Sequence, residues 1–590
     1  MPRKSIGERP MTDAERQARC RAARASGTLA VRIRRPLDHR SRAKRWRDAV
    51  SELITLQGQY AAWLEALPDN LQDSATAEAL LAICDLDLTE LQAAPDWERR
   101  LKMIKHLTAA ALVIAAFAPA AYGQEKVTQV ASGAPSSEEI RRADAQSEEE
   151  WYYSVGIQNY VYTLPLTMLE RELKVRLNPA ALEKAKKFAP AAPINEIGHM
   201  KTLATADDIM PYTPNNDTVY SGALLELKDE PVMLTAPDIP DRYWSVEVAD
   251  AYTNNLFYIG TRATGGKGGN HAFVGPNWKG TLPKDVIEHR VPTNTIMFAI
   301  RIGVVPQDDE DLKKVNALQE QFKTTSLRSW GDPSKFGQVT IPPLAKRPDY
   351  RGDLAYFQTV ADLLAENPPP KDQEAAVILL SRGGIDVGQP MDPAKLDEPA
   401  RKGLARAEAM GPQIMRWKVK FRGTPYPTHW NNLRPGTYGF DYFDRAAGAL
   451  EGLFVHDREE AEYFSTYEDG DAHLLDGANR YVVHFNKDEL PPTLEHGFWS
   501  FTMYGADFQL VKNPINRFSI GDRTKGLTAN PDGSLDVYIQ NQPPAGHESN
   551  WLPSPPSGLF RINYRIYLPA KEAQNPATLG KYLPPIKKAG

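Results

Sequence analysis

From about residue 200 to 305, apolar and polar positions alternate in short runs: "TVYSGALLELK", "PVMLTAP", "RYWSVEVADAY", "NLFYIGTRA", "HAFVGP" and "TIMFAIRIG". Each run is bounded by Pro, Gly, Asn or Asp, and period-two alternation is the mark of strands. Many such runs at close spacing predict an antiparallel sandwich or barrel. From about residue 470 the pattern returns in "NRYVVHF", "FWSFTMYGAD", "RFSIGD", "LDVYIQNQ" and "LFRINYRIYLP", predicting a second sandwich. Between them the period lengthens to 3.6. "DDEDLKKVNALQEQFKTT", "LAYFQTVADLLAEN", "KDQEAAVILLSRGGID" and "PAKLDEPARKGLARAEAMGPQIMRWKVK" carry acidic first turns and Gly or Pro stops, as packed helices do. Ahead of the first sandwich, "WYYSVGIQNYVYTLPLTMLERELKVRL" predicts a helix or a pair kinked at Pro165, its aromatics packing in a core. The expected fold is α+β, mainly β: two antiparallel β-sandwich or jelly-roll-like domains, at 149–305 and 466–590, linked by a helical layer at 306–465.

An uncharged apolar run from Leu107 to Ala121 follows Lys102, Lys105 and His106 and ends at Ala121-Tyr122-Gly123. Basic start, apolar middle and small residues at the cut are the parts of a secretory signal. The run is about 15 residues long, shorter than the roughly 20 that span a bilayer. The pattern therefore predicts a signal peptide at 103–123, a mobile lead-in at 124–148, and a periplasmic or secreted protein starting near Gln124. Residues 1–102 then read as an upstream fusion or the product of a misplaced start. Their first half is arginine-rich and their second half, "SELITLQGQYAAWLEALPD" and "TAEALLAICDLDLTELQAA", has the spacing of a small helical hairpin.

Composition narrows the classes of function. Both cysteines, Cys20 and Cys84, precede the signal, so thiol nucleophiles, thiolate metal sites and disulfides are excluded from the mature chain. The formal charge of −5 becomes more acidic once the basic front is removed, which argues against nucleic acid as a partner of the mature chain. No later stretch is apolar enough to span a membrane. The eleven histidines form no local metal-ligand pair, so no metal or cofactor is expected. A Gly-x-Ser-x-Gly elbow is absent, as is a glycine-rich phosphate loop opening a helix.

Several stretches carry a resemblance. "PYTPNNDTVYSGALLEL", "RYWSVEVADAYTNNLFYIGTR" and "GPNWKG" resemble the bacterial domain-of-unknown-function family numbered 1254. "LLDGANRYVVHF", "FWSFTMYGADFQLVKNPINRFSIGD" and "NWLPSPPSGLFRINYRIYLP" resemble its usual partner, the family numbered 1214. The resemblance covers roughly residues 150–575 and implies an exported or envelope-associated protein with two β-rich domains joined by helices. It implies no activity.

Two polar clusters are the candidate chemistry. Asn215, Asn216, Asp217 and Tyr220 precede or open a strand, where Asn and Asp make turns but a carboxylate beside a phenol also suits acid–base work. His473, Asp476 and Arg480 lie before one later strand, Trp499 and Tyr504 on the next, Arg517 nearby, and His547 and Trp551 in a Pro-rich loop. Indole and phenol faces beside arginine suit a sugar or aromatic ligand. The catalytic candidates are Asp217, Tyr220, His473 and Arg480; the ligand-binding candidates are Asn215, Asn216, Trp499, Tyr504, Arg517, His547 and Trp551. Two functions follow: an exported hydrolase or lyase acting on a small organic molecule or glycan, or a non-catalytic protein that encloses such a ligand. Convergence of Asp217 with the His473–Arg480 group in one pocket would favour chemistry, and separation would favour binding. Exposed sheet edges are also compatible with a homo-oligomer.

Overall fold

The computed structural model describes residues 137–208, 213–341, 347–420, 423–433 and 436–589, together with Gln57, Ala61 and Cys84. The signal at 103–123 and nearly all of the front segment lie outside the described residues. The chain divides into two compact units, Met1–Glu139 and Ile140–Gly590. In the first, Gln57, Ala61 and Cys84 are helical, and Gln57 Nε2 donates to the Cys84 carbonyl at 2.9 Å. Everything that follows concerns the second.

Nine strands build the first sandwich: β1 (Gly198–His199), β2 (Thr218–Glu226), β3 (Val232–Ala236), β4 (Trp244–Asp250), β5 (Asn255–Gly260), β6 (Gly269–Val274), β7 (Ile287–Arg290), β8 (Thr295–Gly303) and β9 (Lys323–Ser326). One sheet runs β1-β2-β8-β4-β5 with every pair antiparallel; the other runs β7-β6-β3-β9, with β6 and β7 parallel. Val219, Ala223 and Leu225 of β2, the alternate residues Ile296 to Ile302 of β8, and Trp244, Val246 and Val248 of β4 pack against Val232, Leu234 and Phe273 of the second sheet. Each such buried side chain contributes about 1.5–3 kcal/mol relative to exposure.

The second sandwich takes β10 (Thr424–Pro425), β11 (Asn431–Asn432), β12 (Ala461–Thr466), β13 (Arg480–Phe485), β14 (Thr493–Gly505), β15 (Ser519–Gly521), β16 (Leu535–Gln540), β17 (Trp551–Pro553), β18 (Phe560–Pro569) and β19 (Ile586–Ala589). Its sheets run β10-β11-β12-β18-β14-β15 and β17-β16-β13-β19. Phe560, Ile562, Tyr564 and Ile566 of β18 meet Tyr481, Val483, Val537 and Ile539 in the core. The sheet thus recruits strands from Thr424 onward, ahead of residue 466, because β12 is short and pairs with β18 about a hundred residues later.

The helical layer comprises α1 (Ser137–Leu177), α2 (Asp309–Gln319), α3 (Ala355–Glu366), α4 (Glu374–Arg382), α5 (Glu398–Lys420) and α6 (Tyr442–Gly452). Helix α1 runs through Pro165 and begins at Ser137, inside the stretch read as a mobile lead-in. Glu138 and Glu139 sit at its positive end, and Glu149 and Glu150 pair with Arg406 of α5. Among the described residues no helix is long and apolar enough to cross a membrane.

Both larger sheets are buried on both faces. On β8 the residues alternating with the core are Thr295, Met297, Ala299 and Arg301; on β18 they are Arg561, Asn563, Arg565 and Tyr567. These two faces, one largely polar and one mixed, are where the site forms.

Candidate functional site

A cavity of about 430 Å³ is lined by residues of both sandwiches, of α1 and of α6. Its polar wall comes from Asn215, Tyr220 and Arg301 of the first sandwich and Tyr463, Asn563, Arg565 and Tyr567 of the second. Strand register explains the grouping. Tyr220 stands opposite Arg301 across β2 and β8, and Tyr463 opposite Arg565 across β12 and β18. Helix α6 ends at Gly452, Leu453 turns through a φ of 64°, and Leu453, Phe454 and Val455 then add an apolar wall with Leu450, Met168 and Phe188.

Arg301 pairs with Glu247 of β4, and both are buried. Its guanidinium lies 5.4 Å from the centre of the Tyr220 ring, and its described hydrogen bonds all leave from Nη1. Burial pushes the Glu247 carboxyl up, but His456 and Arg301 outweigh it and hold the group down at about 2. His456, wholly buried, is pushed down to about 4 by burial and by Arg301, and is neutral near pH 7. Its Nδ1 lies 3.1 Å from Glu247 and its Nε2 lies 3.2 Å from the Tyr243 hydroxyl, which suits the tautomer with hydrogen on Nδ1.

Arg565 differs. It donates from Nη1 to Thr502 Oγ1 at 2.8 Å and from Nη2 to the Tyr504 hydroxyl at 2.9 Å and the Thr213 carbonyl at 3.3 Å. All three acceptors are neutral, and among the described residues no carboxylate lies within ion-pair distance of this 5%-exposed arginine. Beside it on β18, Asn563 Oδ1 is buried with no hydrogen-bond partner. Buried charges are ordinarily paired and buried carbonyls bonded, so this wall has capacity for a ligand.

Of the residues singled out from the sequence, the cavity brings together Asn215 and Tyr220. Asn215 also joins the two sandwiches, donating from Nδ2 to the Tyr567 hydroxyl at 2.5 Å. Asn216 donates to the Ala204 carbonyl at 2.6 Å. Asp217, 1% exposed, accepts from Ser500 Oγ at 2.6 Å and Ser519 Oγ at 3.4 Å and is not part of the cavity lining. Tyr504 supports Arg565 from behind and donates to the Pro214 carbonyl at 2.8 Å.

The remaining candidates lie elsewhere. Trp499 packs in the second core, and Trp551 is buried with its indole N–H on the Gln540 carbonyl at 2.7 Å. Arg517 ties down a loop through the carbonyls of Glu548, Ser549 and Trp551. His547 is exposed against the Tyr538 ring, and Arg480 is exposed at the start of β13. His473 is exposed in a turn where Asp469 Oδ1 accepts the backbone N–H groups of Asp471 and His473, both at 3.0 Å. Asp469, Asp471 and His473 could place three ligand atoms within 4.8 Å of one another, but turn hydrogen bonds already account for the geometry. Asp217 and the His473–Arg480 group therefore do not converge. A second, more open groove of about 550 Å³ lies on α1 and α3, where its Lys174 and Glu170 pair at 3.5 Å.

The residues missed from sequence are Arg301, Tyr463, Asn563, Arg565 and Tyr567. The signal that marks them is the strict alternation in "LFRINYRIYLP", where Arg561, Asn563, Arg565 and Tyr567 share one face, and the single arginine in "TIMFAIRIG".

Fold and cavity together define a protein whose paired sandwiches, braced by helices, border a half-open cavity of small-molecule size. Residues 194–326 match the family described as "Protein of unknown function (DUF1254)" and residues 460–571 the family described as "Protein of unknown function (DUF1214)". The two matches follow in that order, one within each sandwich. The crystal structure of the VPA0106 protein from Vibrio parahaemolyticus is similar over 74% of this chain and 100% of its own, with a TM-score of 0.56 at 24% identity, a likeness of fold. An uncharacterised protein from Burkholderia cenocepacia aligns over 74% of this chain and 98% of its own, with a TM-score of 0.34 at 11% identity. No curated protein matches the chain.

Proposed function

We propose that this is an exported protein that binds a small organic anion in the cavity between its two sandwiches, without chemical turnover. The observation that carries the reading is Arg565: a buried cation, hydrogen-bonded only to neutral acceptors, at the wall of a half-open cavity. A ligand anion would supply the missing charge and bond.

The lining supports binding over catalysis. Among the described residues it includes no His, Asp, Cys, Ser or Lys side chain. Burial pushes the phenols of Tyr463 and Tyr567 far above their usual range, so neither is a ready base. Glu172, at the cavity edge, is tied to Arg176 at 2.6 Å. Export rests on the basic–apolar–small pattern of residues 103–123.

Melting the protein against a panel of organic acids, sugars and divalent metals tests the binding reading. An organic acid should raise the melting temperature in proportion to the logarithm of its excess over Kd, and Arg565→Gln should remove the rise. Stabilisation by neutral sugars or metals alone would refute it. N-terminal sequencing of the protein from fractionated cells tests export, and a periplasmic chain starting near Gln124 is expected.

A further inference from the structure

We infer that the occupant is an amphiphilic monocarboxylate, its head on Arg301 and Arg565 and its apolar body lying along β8 toward Met297; this rests on the reading that the cavity binds an organic anion.

Charge sets the head. Arg301 is neutralised by Glu247, His456 is neutral, and the lining phenols of Tyr463 and Tyr567 keep their protons. Between the two sandwich arginines of the wall, Arg565 is the one with no carboxylate at ion-pair distance among the described residues, the field of Asp217 reaching it only from beyond that range, which calls for a negative charge beside it. Arg301 still offers Nε and Nη2, which make no described hydrogen bond, so arginines of both sandwiches have a place in holding the carboxylate in the cavity they both line.

Strand geometry sets the body. Arg301, Ala299 and Met297 alternate on one face of β8, so each step toward Met297 is about 6.8 Å. Along those steps the face changes from charged to small to apolar. Gly222 stands opposite Ala299 on β2 with Pro190 packed above it, so the face beside Ala299 is bordered by small and apolar residues. Arg171, Glu172, Arg176 and Glu451 bring charge from α1 and α6, while Met168, Phe188, Pro190, Leu450, Leu453 and Phe454 line the same cavity and offer no hydrogen bond from their side chains. A sugar would leave its hydroxyls unpaired there, whereas a chain of roughly eight to twelve carbons or a flat aromatic body suits the space.

Calorimetric titration of the full chain with decanoate, 1-naphthoate, butyrate, citrate and decan-1-ol tests this. Decanoate or naphthoate should bind at least about tenfold more tightly than butyrate, citrate or the alcohol; which of the two prevails distinguishes an acyl chain from an aromatic acid. Arg565→Gln should weaken decanoate by about tenfold or more and leave decan-1-ol unchanged. Ala299→Leu, which adds bulk one step of about 6.8 Å from Arg301 on the apolar path, should weaken decanoate more than butyrate, and it serves as the test if the arginine variant does not fold. Decanol binding as tightly as decanoate, or citrate binding more tightly, would overturn the amphiphile while leaving an organic ligand in place. Binding of no carboxylate at all, in a protein of native circular dichroism, would overturn both this inference and the anion reading.

Discussion

Tyr220 and Arg301 stand opposite each other on neighbouring strands, the guanidinium 5.4 Å from the phenol ring centre, and the same arginine pairs with buried Glu247. Removing it strands a carboxylate in the interior. Arg301→Met should therefore destabilise the protein by about 3–5 kcal/mol in urea unfolding, and Glu247→Gln in the same chain should restore much of the loss. The pH sign follows from Glu247 being held at about 2, below its ordinary 4.5. Its stabilisation is present above 4.5 and lost as pH falls toward 2, so the Glu247→Gln chain should lose less stability across that window than the parent.

The Asn215–Tyr567 hydrogen bond crosses from one sandwich to the other at 2.5 Å. A double-mutant cycle of Asn215→Ala and Tyr567→Phe should give a coupling of about 1 kcal/mol. Additive effects would mean that the two domains are joined there by packing alone. Because both groups line the cavity, each single variant should also lower ligand affinity.

Asp217 separates a structural role from a catalytic one. Its carboxylate holds the hydroxyls of Ser500 and Ser519, both on strands of the other sandwich. Asp217→Ala should cost about 1–3 kcal/mol by leaving buried hydroxyls without an acceptor. At temperatures where the variant is folded, ligand affinity should stay within about twofold of the parent. A large loss of affinity with unchanged stability would return Asp217 to the site.

The strands of both sandwiches were readable because half of each obeys the period-two rule with apolar side chains: Ile296 to Ile302 on β8, Phe560 to Ile566 on β18. The other half misled. Arg561, Asn563, Arg565 and Tyr567 look like a solvated row, yet all four are buried, Arg561 against Tyr467 and Phe508 of its own sandwich and Tyr567 against Asn215 of the other. His473 and Arg480 drew attention by nearness in sequence, yet one sits in a turn and the other at a strand start. Arg301 and Arg565 are 264 positions apart and come to line one cavity through pairings that no local pattern encodes. Tyr220 and Asn215 were found because turn chemistry at a strand entrance is local.

His456 gives the cleanest test of the buried network. It faces Glu247, Arg301, Asp457 and the phenols of Tyr243, Tyr258 and Tyr463. Burial first, then Arg301, pushes it down from 6.5 to about 4. An unfolded chain takes up this proton below 6.5 and the folded one does not, so its contribution is present above 6.5 and lost as pH falls toward 4. Glu226 and Glu462, both pushed up to about 7 by burial, act in the opposite sense: their contribution is present below 4.5 and lost as pH rises through 7. The parent's profile thus mixes opposing terms, and only its difference from a His456→Gln chain isolates the imidazole. The stability difference between parent and variant should shrink by at most about 3 kcal/mol between pH 7 and pH 4, read from urea midpoints. A difference that stays constant with pH would mean that His456 titrates alike in the folded and unfolded chain, and the charge balance around Arg301 would have to be redrawn.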